Sequence, residues 1–253
     1  MQTSKRWLIL SHGFNMDGRA ASQTITDKIP YLLKAGIELT VVSAKTGAKD
    51  STVKHYQLWP WGPSGFRFDF RHWFQSNFGR GWLYIVLTGL VSFLLAPFMF
   101  LEKLLVGLPG YWSWAMPATL KVWRLVKSGK IDLVYSTGGA WSAILAGWWV
   151  KKLTGVRWIV EVHDPLVHRG EKKNTSSKND KFQAWLEKKI CQDADVVWWF
   201  TEGALAYAQE RCPELGGRGF SVLAGSEKAS VSVQYQKSGR LNFNHFGSLS
   251  GTR

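Results

Sequence analysis

The sequence predicts an α/β protein built on a doubly wound parallel sheet, with a hydrophobic helical insertion. Strand-like apolar runs alternate with helical patterns, glycines stand at many of the junctions, and one long apolar run interrupts the alternation. The clearest unit has a strand-like run at Ile131–Tyr135, a glycine turn, a helical pattern and a second strand-like run at Arg157–Val162. A strand–helix–strand unit of this kind places its two strands parallel in one sheet.

The same alternation continues on both sides of this unit. Further strands are predicted at Trp7–Ser11, Ile37–Ser43, His55–Pro60, Asp195–Phe200 and Phe220–Leu223, and helices over about Ala20–Ala35, Pro117–Ser128, Ala140–Leu153, Lys181–Gln192 and Gly203–Arg211. With the short run His55–Pro60 counted as marginal, this gives about six parallel strands in one domain, without an internal repeat. In open parallel sheets ligands bind at the carboxyl ends of the strands, so the site is expected in the loops that follow them.

The composition favours anionic partners at a membrane surface. A formal charge of +14 attracts nucleotide diphosphates, anionic lipid head groups or nucleic acid, although a solvated basic surface explains it equally well. The 15 tryptophans favour the membrane, because an indole ring suits the boundary between lipid and water. Nucleic acid is not expected as a partner, since the basic residues are scattered and form no known binding motif.

The cysteines and the N-terminus predict a cytoplasmic protein. Cys191 and Cys212 lie in helical patterns without metal-ligand spacing, as reduced core thiols do. The apolar run Trp7–Leu10 is too short for the core of a signal peptide. We therefore expect the protein in the cytoplasm, peripherally or monotopically associated with the inner face of the cell membrane.

The apolar run Trp82–Leu101 contains no charged residue and is long enough to span a bilayer. A simple span would put strands of one sheet on opposite sides of the membrane. Three interpretations remain: a helix lying in the membrane interface, a re-entrant hairpin bent at Pro97, or an ordinary buried helix. Arg80 and Lys103 at its ends and the nearby tryptophans favour membrane association.

Two polar residues follow the strand Arg157–Val162 and are the predicted catalytic pair. His163 and Asp164 stand at the carboxyl end of a strand, where a side chain could exchange a proton with a bound ligand. The alternatives are a partly buried histidine bonded to the backbone and a turn residue before Pro165. Glu161, on the strand itself, needs a partner if it is buried, and Arg157 or Arg169 could supply one.

Other loops at the same edge supply candidate substrate-binding residues. Ser136, Thr137, Gly138 and Gly139 form a predicted turn before a helix, whose free amides suit an oxygen anion or simply cap the helix. Arg19 also stands at a helix start, and Gly18 beside it permits a tight turn. Glu202 follows a later strand. We expect the tips at 15–19, 136–139 and 163–164 to meet at one rim.

Several of these segments resemble the first domain of the GT-B glycosyltransferases, most closely the retaining, nucleotide-sugar-dependent family 4 enzymes. The resemblance is carried by Ile131–Tyr135 with the Ser-Thr-Gly-Gly turn, by Leu145-Ala146-Gly147, by Leu153-Thr154-Gly155-Val156 and by Trp158–Pro165. It implies a hexosyltransferase-type enzyme that takes a nucleotide sugar as substrate and needs no cofactor or metal. With the apolar run and the charge, it implies a membrane-linked or cell-envelope glycan as acceptor.

The resemblance also assigns roles to particular residues. A histidine placed like His163 contacts the sugar or phosphate in such enzymes, and the loop containing Asp17, Gly18 and Arg19 lies near acceptor and donor phosphate. The turn containing Gly247, Ser248 and Arg253 is similar to the one that meets the donor diphosphate at the start of the second domain.

These roles imply a division of the chain. Residues 1–238 would be the acceptor-side domain, with a membrane-associating insertion at about 66–116, and residues 239–253 the first strand and turn of a truncated donor-binding domain. We expect such a fragment to be inactive alone. Two other functions remain open: a GT-B sugar-nucleotide epimerase, which gives Trp82–Leu101 no role, and a non-catalytic membrane-binding module.

Overall fold

The structure is a computed structural model that describes residues 5–16, 18–167 and 177–225. A seven-stranded, all-parallel sheet in the order β3-β2-β1-β4-β5-β6-β7 forms its centre. The strands are β1 Lys5–Ser11, β2 Ile37–Ala44, β3 Lys54–Leu58, β4 Leu133–Thr137, β5 Arg157–Val162, β6 Val196–Trp199 and β7 Gly219–Ser221. The predicted doubly wound fold is confirmed, with seven strands where about six were expected.

Eight α-helices connect these strands among the described residues. They are α1 Ala20–Thr26, α2 Ile29–Lys34, α3 Pro63–Phe78, α4 Trp82–Leu105, α5 Ala115–Lys127, α6 Trp141–Thr154, α7 Lys178–Asp193 and α8 Glu202–Arg211, with 3₁₀ turns at Gly110–Trp114 and Pro213–Arg218. The single helix predicted over Ala20–Ala35 is two short ones, because Pro30 stands at the start of α2 and has no N–H to continue α1.

The core has two parts, one on each face of the sheet. On one face α5 to α8 cover the sheet, with Trp158, Val160 and Val162 of β5 pointing into this larger cluster. The smaller cluster on the other face includes Ile9 of β1 and Tyr135 of β4. Cys191 and Cys212 are free and buried in the larger cluster, as the sequence predicted for reduced thiols.

The insertion between β3 and α5 begins with the helical hairpin α3–α4. α4 is one unbroken helix of 24 residues that continues through Pro97, and Thr88 is its only buried residue. The interpretations as a buried helix and as a hairpin bent at Pro97 therefore do not hold. By length and composition α4 is able to cross a membrane, and 6% of its most apolar window is buried against the protein.

The helix α3 lies between α4 and the sheet and has a different set of contacts on each side. Towards α4, Arg67 Nε donates to Ser92 Oγ at 2.7 Å, and the ring of Phe74 lies 6.3 Å from that of Tyr84. Phe68 lies on the side that faces the end of β1. α3 therefore joins the apolar helix to the edge of the sheet where a site is expected.

Candidate functional site

The loops singled out in the sequence meet at one edge of the sheet. β4 lies between β1 and β5, with Leu10 opposite Ser136 and Ser136 opposite Val160. Because these neighbouring strands are parallel, the loops that follow them leave from the same edge. The expected common rim is confirmed. The strand order reverses between β1 and β4, and this is where open α/β sheets bind ligands.

A cleft of about 280 Å³ lies at this reversal point. Its lining comes from the β1–α1 loop, the start of α1, α3, the first 3₁₀ turn and the β4–α6 turn: His12, Gly13, Met16, Arg19, Ala21, Ser22, Phe68, Tyr111, Gly139 and Ala140. Two predicted substrate-binding residues, Arg19 and Gly139, are therefore brought together here. Gly18 has a φ of 68°, which accounts for a glycine in this turn. Asp17 lies outside the described residues.

A histidine–aspartate pair that the sequence did not predict has its histidine in the lining of the cleft and its aspartate buried behind it. His12 Nε2 lies 3.4 Å from Asp69 Oδ1, and the two side chains are 5% and 0% exposed. Rings of Phe68, Tyr111 and Trp114 surround His12, with centroids 5.4–6.2 Å away. The only sequence signal was that His12 directly follows β1. Asp69 is 57 positions further along, inside the insertion, and nothing in the sequence links the two.

Neither partner of this pair has the hydrogen bonds that buried polar groups normally make. His12 Nε2 and both carboxylate oxygens of Asp69 are buried without a hydrogen-bond partner among the described residues. Burial and the nearby His72 lower the pKa of His12 to about 3, and burial raises the pKa of Asp69 to about 8. His55 is equally buried, but Ser43 Oγ lies 2.8 Å from its Nε2 and Asp50 N donates to its Nδ1.

Positive charge lies in and near the cleft. The pKa of His72, one turn beyond Phe68 on α3, is lowered by burial and by the charges of Arg19, Arg71 and Arg80. Arg19 lines the cleft itself. Clustered cations beside a concave site favour an anionic ligand such as a phosphate group.

A second polar cluster lies at the carboxyl end of β5. Glu161 is fully buried and accepts hydrogen bonds from Lys28 Nζ at 2.5 Å and from the hydroxyl of Tyr135. The partner of Glu161 is therefore Lys28, not Arg157, which lies exposed at the start of β5; Arg169 lies outside the described residues. Burial alone would raise the pKa of Glu161, but the nearby His163 and the charge and hydrogen bond of Lys28 hold it below the ordinary value.

His163 belongs to this second cluster and does not line the cleft. Its Nε2 lies 3.5 Å from Glu161 Oε1, its ring stacks on Phe200 at 4.9 Å, and its side chain is 7% exposed. Asp164 and Glu202 are exposed on the same edge of the sheet. The predicted catalytic residue is thus held by Glu161 at the rim, one strand away from the cleft.

In the Ser-Thr-Gly-Gly segment, Ser136 and Gly138 have structural contacts, whereas Gly139 lines the cleft. The predicted turn begins two residues later than expected, because Ser136 and Thr137 are the last residues of β4. Ser136 is buried and its Oγ accepts from Trp158 Nε1 at 3.0 Å, which gives it a structural role. Gly138 packs against β5, where an added Cβ would come within 2.6 Å of Glu161 O and His163 N.

The remaining predicted residues are not placed by the structure. Gly247, Ser248 and Arg253, assigned to donor phosphate, lie outside the described residues. Within the described ranges, no group of three or more His, Cys, Asp or Glu side chains is arranged to hold a metal ion.

The buried Asp69 makes a testable prediction about stability and pH. Its pKa is raised from about 3.8 to about 8, so the folded state holds this proton more tightly than the unfolded state. Stability from this group is therefore lost as pH rises towards 8. His12 contributes no slope above pH 6.5, because its pKa is lowered.

We expect the wild type to lose roughly 2 kcal/mol of unfolding free energy relative to Asp69→Asn between pH 6.5 and 8, since each pH unit is worth about 1.4 kcal/mol. Urea unfolding of both proteins across this range measures the difference. Two parallel pH profiles would show that Asp69 is already ionised in the folded protein.

The fold and the cleft place the protein among the doubly wound α/β proteins whose ligand site lies where the strand order of a parallel sheet reverses. Fold alone does not decide function within this class. Residues 99–213 match the family described as Glycosyl transferase 4-like domain. This match confirms, over these residues, the resemblance to family 4-like glycosyltransferases that was drawn from the sequence.

Solved structures similar to the chain include a sucrose-phosphate synthase and a protein bound to UDP-glucose. A sucrose-phosphate synthase from Thermosynechococcus elongatus is 13% identical, with 88% of this chain and 90% of that chain covered and a TM-score of 0.46. HepE of Anabaena in complex with UDP-glucose is 13% identical, with 88% and 44% covered and a TM-score of 0.41. HepE in complex with UDP and glucose is 14% identical, with 88% of this chain and 45% of that chain covered and a TM-score of 0.44. The chain thus spans less than half the length of HepE. No curated protein sequence matches it.

Proposed function

We propose that the protein transfers a sugar, with retention, from a nucleotide sugar to a membrane-linked or cell-envelope glycan acceptor. The observation that carries the proposal is the glycosyltransferase 4-like match over residues 99–213, which includes the β4–α6 turn at the cleft. The nucleotide sugar is a substrate and no cofactor takes part. HepE, a structural neighbour, is solved with UDP-glucose, so a UDP-sugar is the first donor to test.

The acceptor half of the proposal is supported by the surroundings of the cleft. Arg19 lines the cleft and lies with Arg71 and Arg80 close enough to His72 to lower its pKa, and this positive charge suits the phosphate of a lipid-linked glycan. α3 connects this region directly to the exposed apolar helix α4. An acceptor embedded in a bilayer would therefore meet the cleft while α4 contacts the lipid. The proposed location is the inner face of the cell membrane.

The proposal gives the rim residues separate tasks. His163 and Asp164 contact the reacting sugar or its phosphate, and Glu161 fixes the orientation of the His163 ring. The donor diphosphate is bound by Gly247, Ser248 and Arg253. An epimerase is the less favoured alternative, because it gives the exposed helix α4 no role.

The direct test is transfer of radiolabel from a panel of UDP- and GDP-sugars to a total membrane lipid extract by the full-length protein. We expect one donor to label a chloroform-soluble product, with its anomeric configuration retained. Release of free sugar with no labelled acceptor would exclude a transferase, and conversion of one nucleotide sugar into its epimer would establish the alternative.

A further inference from the structure

The pair formed by His12 and Asp69 has no role in the fold that explains its burial. A carboxyl group with no hydrogen bond to either oxygen costs free energy wherever it is enclosed, and Asp69 is fully enclosed. His55 shows that this protein satisfies both nitrogens of a buried structural histidine. Strongly perturbed groups at the wall of a cleft mark a functional site more often than a structural one.

The orientation of the ring gives the pair one free nitrogen. Nε2 is the atom that faces Asp69, and it is fully buried. No described residue bonds Nδ1, and His12 lines the cleft, which leaves Nδ1 for a ligand. A carboxylate behind one imidazole nitrogen fixes the tautomer so that the other nitrogen carries a lone pair, and this makes the ring a proton acceptor.

We propose that His12 is the general base that activates the acceptor hydroxyl and that Asp69 is its positioning residue. The inference rests on the proposed sugar transfer. The acceptor hydroxyl approaches the anomeric carbon from the face that the diphosphate leaves, and it loses its proton to Nδ1 of His12 while its oxygen forms a bond to that carbon. The bond from that carbon to the diphosphate oxygen breaks, and the nucleoside diphosphate leaves with the electron pair. His12 is then an imidazolium beside an ionised Asp69.

The location of the cleft supports an acceptor at this base. Phe68, Tyr111 and Met16 give the cleft apolar walls suited to the faces of a sugar ring, and His12 and Arg19 provide polar groups. α3 carries both Phe68 and Asp69, and the other side of the same helix contacts α4. The base therefore lies beside the element through which a lipid-linked acceptor would arrive.

The charged groups around the pair set the sign of its pH dependence. α3 contributes His72 beside Asp69, the β1–α1 loop contributes Arg19, and the 3₁₀ turn contributes Tyr111. The pair accepts a proton only once Asp69 is ionised, and burial raises the pKa of Asp69 to about 8. The transfer rate is therefore expected to rise with pH and to level off above about 8.

The test compares His12→Asn and Asp69→Asn with wild type in the full-length protein, using the donor that the panel assay identifies and the same lipid extract. We expect kcat to fall roughly 10²- to 10⁴-fold in His12→Asn while the KM for the donor stays unchanged. Asp69→Asn should lose the rise towards pH 8. His55→Gln is the control for loss of a buried histidine, and thermal unfolding checks that each variant folds.

The outcomes separate this inference from the proposed function. Wild-type protein that transfers no sugar from any donor overturns the function, and the inference with it. Active wild type with equally active His12→Asn overturns the inference alone. The same holds if Asp69→Asn keeps the rise of the rate towards pH 8.

Discussion

Replacing Ile85, Phe93 and Phe100 with aspartate is expected to move the protein from the membrane pellet into the supernatant. These α4 side chains are 70%, 77% and 64% exposed, so charges there do not disturb the packing of the protein. In contact with lipid, a charge costs about 2.5 to 3.5 kcal/mol near the centre of an apolar helix, where Phe93 lies. Phe93→Asp alone should therefore weaken partitioning by roughly two orders of magnitude, and the two outer substitutions should add smaller losses.

The control uses exposed apolar residues that lie outside α4. Tyr31 and Leu223 are 60% and 78% exposed, and aspartate at these positions should leave the protein in the pellet. Fractionation without detergent followed by immunoblotting measures both sets. If the wild type itself stays in the supernatant when membranes are pelleted, α4 is not a membrane helix.

Lys28→Met is expected to destabilise the protein by about 3 to 5 kcal/mol, because Lys28 is the only lysine or arginine among the described residues that bonds the buried carboxylate of Glu161. In the wild type Lys28 holds Glu161 charged, and the pair contributes stability above the unfolded pKa of the carboxyl group, near 4.5. That contribution is lost as pH falls through the lowered folded value. Without the lysine, burial dominates and the pKa of Glu161 rises.

A matched surface pair provides the comparison. Lys151 Nζ lies 2.8 Å from Asp195 Oδ2, whose side chain is 43% exposed, so Lys151→Met should cost less than about 1 kcal/mol. Adding Glu161→Gln to Lys28→Met should recover part of the loss, because the amide needs no countercharge. Equal effects of the two lysine substitutions, measured by urea unfolding, would show that the buried carboxylate does not depend on Lys28.

The parallel sheet was predictable from the sequence because local patterns determine it. β5 has the predicted limits, Arg157–Val162, since its apolar run is bounded by glycine on one side and by a polar turn on the other. β4 was placed two residues early, because Ser136 and Thr137 are polar and read as a turn. Ser136 is nevertheless compatible with a buried strand because Trp158 supplies its hydrogen bond, a partner that is not visible from sequence spacing.

The site was only partly predictable, for the same reason. The rim follows from strand order, and strand order follows from the alternation of strands and helices. Which side chains enter the cleft depends on contacts between distant segments. Asp69 reaches His12 only because the insertion folds back as a hairpin, and Lys28 reaches Glu161 across the opposite face of the sheet.

The helix α3 contacts both the exposed apolar helix α4 and the histidine of the cleft. Arg67 and Phe74 couple it to α4, while Phe68 and Asp69 reach the ring of His12. A change in the tilt of α4, caused by bilayer thickness or by release from the membrane, would move α3 and so change the 3.4 Å distance between His12 Nε2 and Asp69 Oδ1. An enzyme built in this way would be slow in solution and active when bound to the membrane, which would limit hydrolysis of the nucleotide sugar.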